Sequence, residues 1–181
     1  MTFQNEKKTF LGKLDQSKKG SIDAKVIPFI NIINQQENYY TTSSCSGRVY
    51  LWKGSGKKNE TQWLKVSHDL IDETFFEMKE NSGLIWLRLE GFIMHLVCKD
   101  LVSATTLLDE VRKIYKKSCI LSASNKIIVE IRGSEFMEMP LYLNEKLVFS
   151  GDVYWLKDLI NEKLERIWRG VEKLEKSIKN K

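Results

Sequence analysis

The strongest constraint on the fold lies near the C-terminal end. From Asp152 onward, Trp155, Leu156, Leu159, Ile160, Leu164, Ile167, Trp168, Val171, Leu174 and Ile178 fall on one stripe of a helix. The other side carries Glu162/Arg166, Glu165/Arg169 and Glu172/Lys176 at the i,i+4 spacing of favourable ion pairs. A helix of about 26 residues is roughly 39 Å long, more than a small domain needs. Its end is therefore expected to project or to meet a second subunit.

The rest of the chain is dominated by short alternating runs. "RVYLWKG" and "TQWLKVSH" flank the turn "GSGKKNE" and predict a hairpin. "LIWLRLE" and "FIMHLVC" predict two strands joined at Gly91, the second with Phe92, Met94, Leu96 and Cys98 on one apolar face. "SCILSAS" and "KIIVEIRG" predict another hairpin, and "SEFMEMPLYLNEKLVFSG" short strands about an Asn144-Glu145 turn. Helices are expected in four further places. One is a short lysine-rich helix with Phe3, Phe10, Leu11 and Leu14 on one face. A second is "AKVIPFINIINQQEN", capped by Asp23. "DLIDETFFEMKEN" and "DLVSATTLLDEVRKIYKK", the latter capped by Asp100, are the others. The expectation is an α+β fold in one domain, 1–181. It combines a mixed, mainly antiparallel sheet that can curl into a partial barrel with flanking helices and a long amphipathic helix over 152–181.

Composition narrows the function classes. The net charge of +5 is compatible with a polyanionic partner such as RNA. Cys45, Cys98 and Cys119 form no CxxC pair, and His68 and His95 are the only histidines, so neither a disulfide framework nor a structural zinc site is expected. No stretch approaches the roughly 20 apolar residues of a membrane helix, and the first residues lack a signal-peptide run. A cytoplasmic protein with no metal is the expectation. "GSGKKN" lacks the spacing of a phosphate-binding P-loop, and no strand–GxGxxG–helix unit is present. Any nucleoside cofactor must be held another way.

The candidate site centres on "YYTTSSCSGR". Thr41, Thr42, Ser43, Ser44, Cys45 and Ser46 place six small hydroxyl or thiol groups in a row before Gly47 and Arg48. Such a row suits phosphate or carboxylate oxygens, with Arg48 adding a bidentate charge. The bland alternative is a polar turn whose hydroxyls bond their own backbone. Cys45 could act as a nucleophile or simply pack. His95 interrupts an apolar strand, where an imidazole needs partners; the Ser43–Arg48 cluster, His68 and Glu90 are the groups that could supply them. His68 ends a strand beside Asp69, a position from which loop residues enter sites. Lys18, Lys19 and the lysines of the first helix form either a phosphate-contacting patch or a solvated face.

"DQSKKGSID", then a helix containing "INIIN", then "YYTTSSCSGR" at this spacing, resembles the wybutosine-synthesising tRNA methyltransferase family (the third protein of that pathway and its archaeal homologues). "WLKVSH", "EGFIMHLVC" and "VEIRGSEFMEMPL" follow in the matching order, so the resemblance covers about residues 15–141. It implies an α+β fold outside the Rossmann methyltransferases. It also implies S-adenosylmethionine-dependent N-methylation of the 7-(3-amino-3-carboxypropyl)-4-demethylwyosine base 3′ of the anticodon in tRNA(Phe). On that reading Ser43, Ser44, Cys45, Ser46, Gly47, Arg48 and Lys19 bind ligand, and His95, His68 and Asp23 are candidate bases. Trp63 would stack on the base or pack in the core. A homodimer through the C-terminal helix is the candidate assembly. The competing class is a non-catalytic RNA-binding or assembly protein on the same scaffold.

Overall fold

The computed structural model describes residues 2–13, 21–55, 60–78 and 82–179. They divide into two compact units, Met1–Ser46 with Phe92–Ser134 and Trp168–Lys181, and Gly47–Gly91 with Glu135–Ile167. The C-terminal helix α4, Val153–Lys179, gives its first part to the second unit and its last part to the first. The α+β expectation holds. Every strand pair is antiparallel, and the described strands form two open sheets and no closed barrel.

In the first unit β1 (Tyr39–Cys45), β5 (Ile93–Cys98), β7 (Ile127–Arg132) and β6 (Cys119–Ala123) stand in that order. The hydroxyl run as far as Cys45 is thus not a turn but the edge strand β1, and its bulge between Thr41 and Ser43 is a device that keeps an edge from recruiting another strand. Alternation sorts the side chains: Met94, Leu96, Val129 and Ile131 are wholly buried. The helices α2 (Ile27–Gln35) and α3 (Leu101–Val111) add Phe29, Ile33, Ala104 and Val111 to that core. Asp100 caps α3 as expected, accepting from the Ser103 amide at 2.7 Å. The first helix, α1 (Phe3–Leu11), sets Phe3 and Phe10 on Tyr40, with ring centroids 5.5 and 5.4 Å away. Its Lys7 is buried and donates to the Gln36 carbonyl, so this lysine is structural instead of part of a phosphate patch. Leu14 and Lys19 lie outside the described residues.

In the second unit the order is β3 (Gln62–Ser67), β2 (Arg48–Lys53), β4 (Leu84–Glu90), β8 (Phe136–Leu143) and β9 (Lys146–Leu147). Both expected hairpins of this unit form. Asn144 and Glu145, at φ 46° and 68°, make the two-residue turn whose twist suits a tight hairpin. Val49, Leu51, Ile85, Leu87, Leu89 and Leu141 form the buried sheet face, and α4 contributes Leu156, Ile160, Leu164 and Ile167 to the core. The stripe of α4 is covered as far as Leu174, whereas Trp155, expected on it, is 58% exposed.

One expected helix is absent. "DLIDETFFEMKEN" yields a single 3-10 turn, Glu73–Phe76, among its described residues. Tertiary bonds have taken the backbone groups a helix would use: Asn161 accepts from the Ile71 amide and donates to its carbonyl, and the Lys65 ammonium binds the Thr74 and Glu77 carbonyls. Local amphipathicity loses to those fixed partners.

Candidate active site

On one face of the first unit's sheet the register lines up Ser43, His95, Glu130 and Cys119 across four strands. Ser43 Oγ lies 3.0 Å from His95 Nδ1, and His95 Nε2 lies 2.9 Å from Glu130 Oε2. An ionised carboxylate only accepts, so it draws the ring hydrogen to Nε2 and leaves the Nδ1 lone pair facing the serine hydroxyl. The hydrogen-bond network, not an observed hydrogen, carries that assignment. Ser43 is exposed, and the His95 side chain keeps 27% of its surface against 14% for Glu130. The row therefore runs from a solvent-facing hydroxyl to an enclosed carboxylate. A bulge between Thr41 and Ser43 shifts the register here, and Thr42 Oγ1 donates to the His95 carbonyl at 3.1 Å.

Thr41 and Ser46 of the run are bound internally. The Thr41 amide and Asn34 Oδ1 are 2.8 Å apart, and Thr41 Oγ1 also meets the Asn34 side chain. Asp23 does not cap its helix: a 3-10 turn, Ala24–Val26, precedes α2, and no side-chain cap bond is made. Its Oδ2 instead accepts from both the amide and the hydroxyl of Ser46, at 2.8 and 3.0 Å, with Asp23 and Ser46 both buried. Two donors on one carboxylate oxygen make Asp23 an anchor for the end of β1. Cys45 is half-buried, its sulfur within 4.8 Å of the Asp23 carboxylate. Ser44 is half-buried opposite the wholly buried Met94.

Gly47, Arg48, Trp63 and His68 belong to the second unit. Gly47 has φ +99°, and a Cβ there would come within 3.1 Å of Ile167 and 3.2 Å of the Glu90 carbonyl. Arg48 lies against Glu90, its Nε and Nη2 both donating to Oε2 at 3.0 and 2.7 Å. Its guanidinium covers the Trp63 ring at 4.4 Å, and that ring stacks on Tyr50 with centroids 5.1 Å apart. Burial alone would push the Glu90 carboxyl up, but the Arg48 and Tyr50 hydrogen bonds and the nearby guanidinium charges outweigh it and hold it below its ordinary value. Burial and the same carboxylate push the Tyr50 phenol up to about 12. Trp63 is 47% exposed, so it is no core residue. His68 is half-buried just after β3.

The geometry thus brings Ser43 to His95, Asp23 to Ser46 and Cys45, and Arg48 to Trp63. Of the partners foreseen for His95, Ser43 is found, while Glu90 serves Arg48. Sequence reading missed Glu130. Its signal was an acid in the otherwise apolar alternation "KIIVEI", opposite a histidine once the strands pair.

Comparison with known proteins identifies the family. The family model described as Methyltransferase TYW3 matches residues 5–180. A Pyrococcus horikoshii protein named tRNA(Phe) 7-((3-amino-3-carboxypropyl)-4-demethylwyosine(37)-N(4))-methyltransferase 1 is 35% identical, over 97% of this chain and 94% of its own. A Xenopus laevis tRNA wybutosine-synthesizing protein 3 homolog is 34% identical, over 90% of this chain and 69% of its own. A solved Pyrococcus horikoshii structure superposes with a TM-score of 0.88 at 33% identity, covering 98% of this chain and 96% of that one. The chain belongs to the TYW3 methyltransferase family.

Proposed function

We propose that this protein methylates N4 of the 7-(3-amino-3-carboxypropyl)-4-demethylwyosine base of tRNA(Phe), with S-adenosylmethionine as donor and His95 as the base. The family and the names of its relatives support the reaction. The Ser43–His95–Glu130 row is the observation that carries the assignment of the base. An imidazole held between a hydroxyl and a carboxylate is suited to accepting a proton, a task that a purely RNA-binding protein does not perform. Among the described residues no helix is long and apolar enough to cross a membrane, and a tRNA substrate favours the cytoplasm. A second copy meeting α4 would use Tyr154 and Trp155, 60% and 58% exposed.

The first unit's residues fit the donor by their chemistry. Its amino-acid end needs hydroxyl partners, of which Ser44 at the end of β1 is one. When bound, the donor supplies an electrophilic methyl carbon and departs as a neutral thioether. The chain's own part is alignment and removal of one proton. Ser43 Oγ accepts the proton leaving the base nitrogen while its own hydrogen passes to His95 Nδ1. Glu130 holds the resulting imidazolium through Nε2–H. The nitrogen keeps its electron pair for the new N–CH3 bond.

Calorimetry with S-adenosylmethionine, followed by mass spectrometry of the digested tRNA, tests this reading. It predicts binding of the donor and gain of one methyl on the precursor base. No donor binding even with RNA present, and an unmodified base, contradicts it.

A further inference from the structure

One face of the second unit's sheet is apolar and buried; the other is built differently. Tyr50 and Trp52 on β2, Trp63 on β3, Trp86 on β4 and Phe136 on β8 alternate with Arg48 and Arg88. The contacts are continuous. Trp63 stacks on Tyr50, and Trp52 stacks on Trp86 with centroids 6.1 Å apart. The Arg88 guanidinium lies 4.9 Å from the Trp52 ring and 5.9 Å from that of Phe136. Two acids fix the guanidiniums in place: Glu90 holds Arg48, and Glu138 accepts from Arg88 Nε at 2.6 Å. Tyr50 and Trp52 form the covered inner part, at 3% and 5% exposure. Trp63 and Phe136 present their rings outward at 47% and 58%.

We propose that this face is a stacking platform for unpaired nucleobases, with Trp63 and Phe136 as the rings on which two bases lie and Arg48 and Arg88 as the cationic steps between them. The inference rests on the reading that the substrate is RNA, and adds where the nucleotides beyond the modified base are held. An open sheet face of aromatics is how single-stranded RNA is commonly gripped, because every base has a π-face and splayed bases have lost their neighbours. Guanidiniums clamped flat against rings by carboxylates are preorganised for the same stacking. One further observation favours RNA over an apolar protein surface: the two acids that hold the guanidiniums, Glu90 and Glu138, are matched to arginines, so the +5 charge of the chain is not opposed there.

The test uses the full chain and fluorescence anisotropy with an anticodon stem-loop RNA of tRNA(Phe), against a fully paired RNA duplex as control. Trp63→Ala and Phe136→Ala should each weaken stem-loop binding about 5- to 150-fold, as expected for loss of one stacked base. Both should leave the salt slope intact, since no phosphate contact is removed. Trp63→Phe should recover most of the affinity, and duplex binding should not change. If both alanine variants bind the stem-loop like the parent, the platform is wrong while the RNA reading stands. If they change the oligomeric state and not RNA affinity, the face is a contact between copies and the proposal falls. A parent protein that binds no stem-loop and methylates no tRNA overturns the functional reading itself, and the platform with it.

Discussion

Replacing Glu130 with glutamine isolates the part of the site that sequence alone did not reveal. The side chains are nearly the same size, and Glu130 is only 14% exposed, so the strand and its packing should survive. What changes is the 2.9 Å contact with His95 Nε2. The carboxylate can only accept there; an amide can also donate, which would move the ring hydrogen to Nδ1 and turn that nitrogen away from its work. The charge that steadies the imidazolium is also lost. A hydrogen bond to a charged group contributes about 1.5–3 kcal/mol, and lost in the transition state alone it lowers kcat roughly 10- to 150-fold. Single-turnover methyl transfer to precursor tRNA, with KM for RNA and donor affinity measured in parallel, separates this from misfolding. The expected result is a fall in kcat with KM, donor affinity and melting temperature unchanged. Full kcat in Glu130→Gln would refute the carboxylate-oriented base.

Glu90 titrates below its ordinary value of 4.5 in the folded chain, so its contribution to stability is full above that pH and lost as pH falls through the lowered value. The melting temperature of the parent should therefore drop in acid more than that of Glu90→Gln; parallel curves would exclude the linkage. Gly47→Ala forces a Cβ into left-handed backbone and against Ile167, and should cost at least about 1–2 kcal/mol in urea unfolding. No change in midpoint would mean the strand junction relaxes freely. Burial pushes the Cys98 thiol up to about 12, so it should resist alkylation at neutral pH until the protein unfolds. Labelling of Cys98 in the native state would contradict its burial.

Elements whose hydrogen bonds are local or strictly alternating were legible. Asp100 capping α3, the Asn144-Glu145 turn and the stripe of α4 need only spacing and residue type. Elements decided by distant partners were not. The segment after Asp69 reads as an amphipathic helix because nothing local says that Asn161, some 90 residues on, takes the Ile71 backbone. Asp23 reads as a cap, and only the fold brings it to Ser46 instead. The site divides the same way. His95 was conspicuous as a polar residue in an apolar strand, and Ser43 lay in a conspicuous run. Joining them required the β1–β5 register, with its bulge, and Glu130 required a third strand.

The central claim is that His95, held between Ser43 and Glu130, takes the proton during methyl transfer to tRNA(Phe). The most direct measurement compares the parent with His95→Asn on tRNA(Phe) carrying the demethylated precursor. Methyl incorporation is read by mass spectrometry of the nucleosides, and donor binding by calorimetry. A general base contributes typically 10²- to 10⁴-fold, so the account predicts a loss of about that size in His95→Asn with donor binding retained. A variant that methylates at the parent's rate would contradict it.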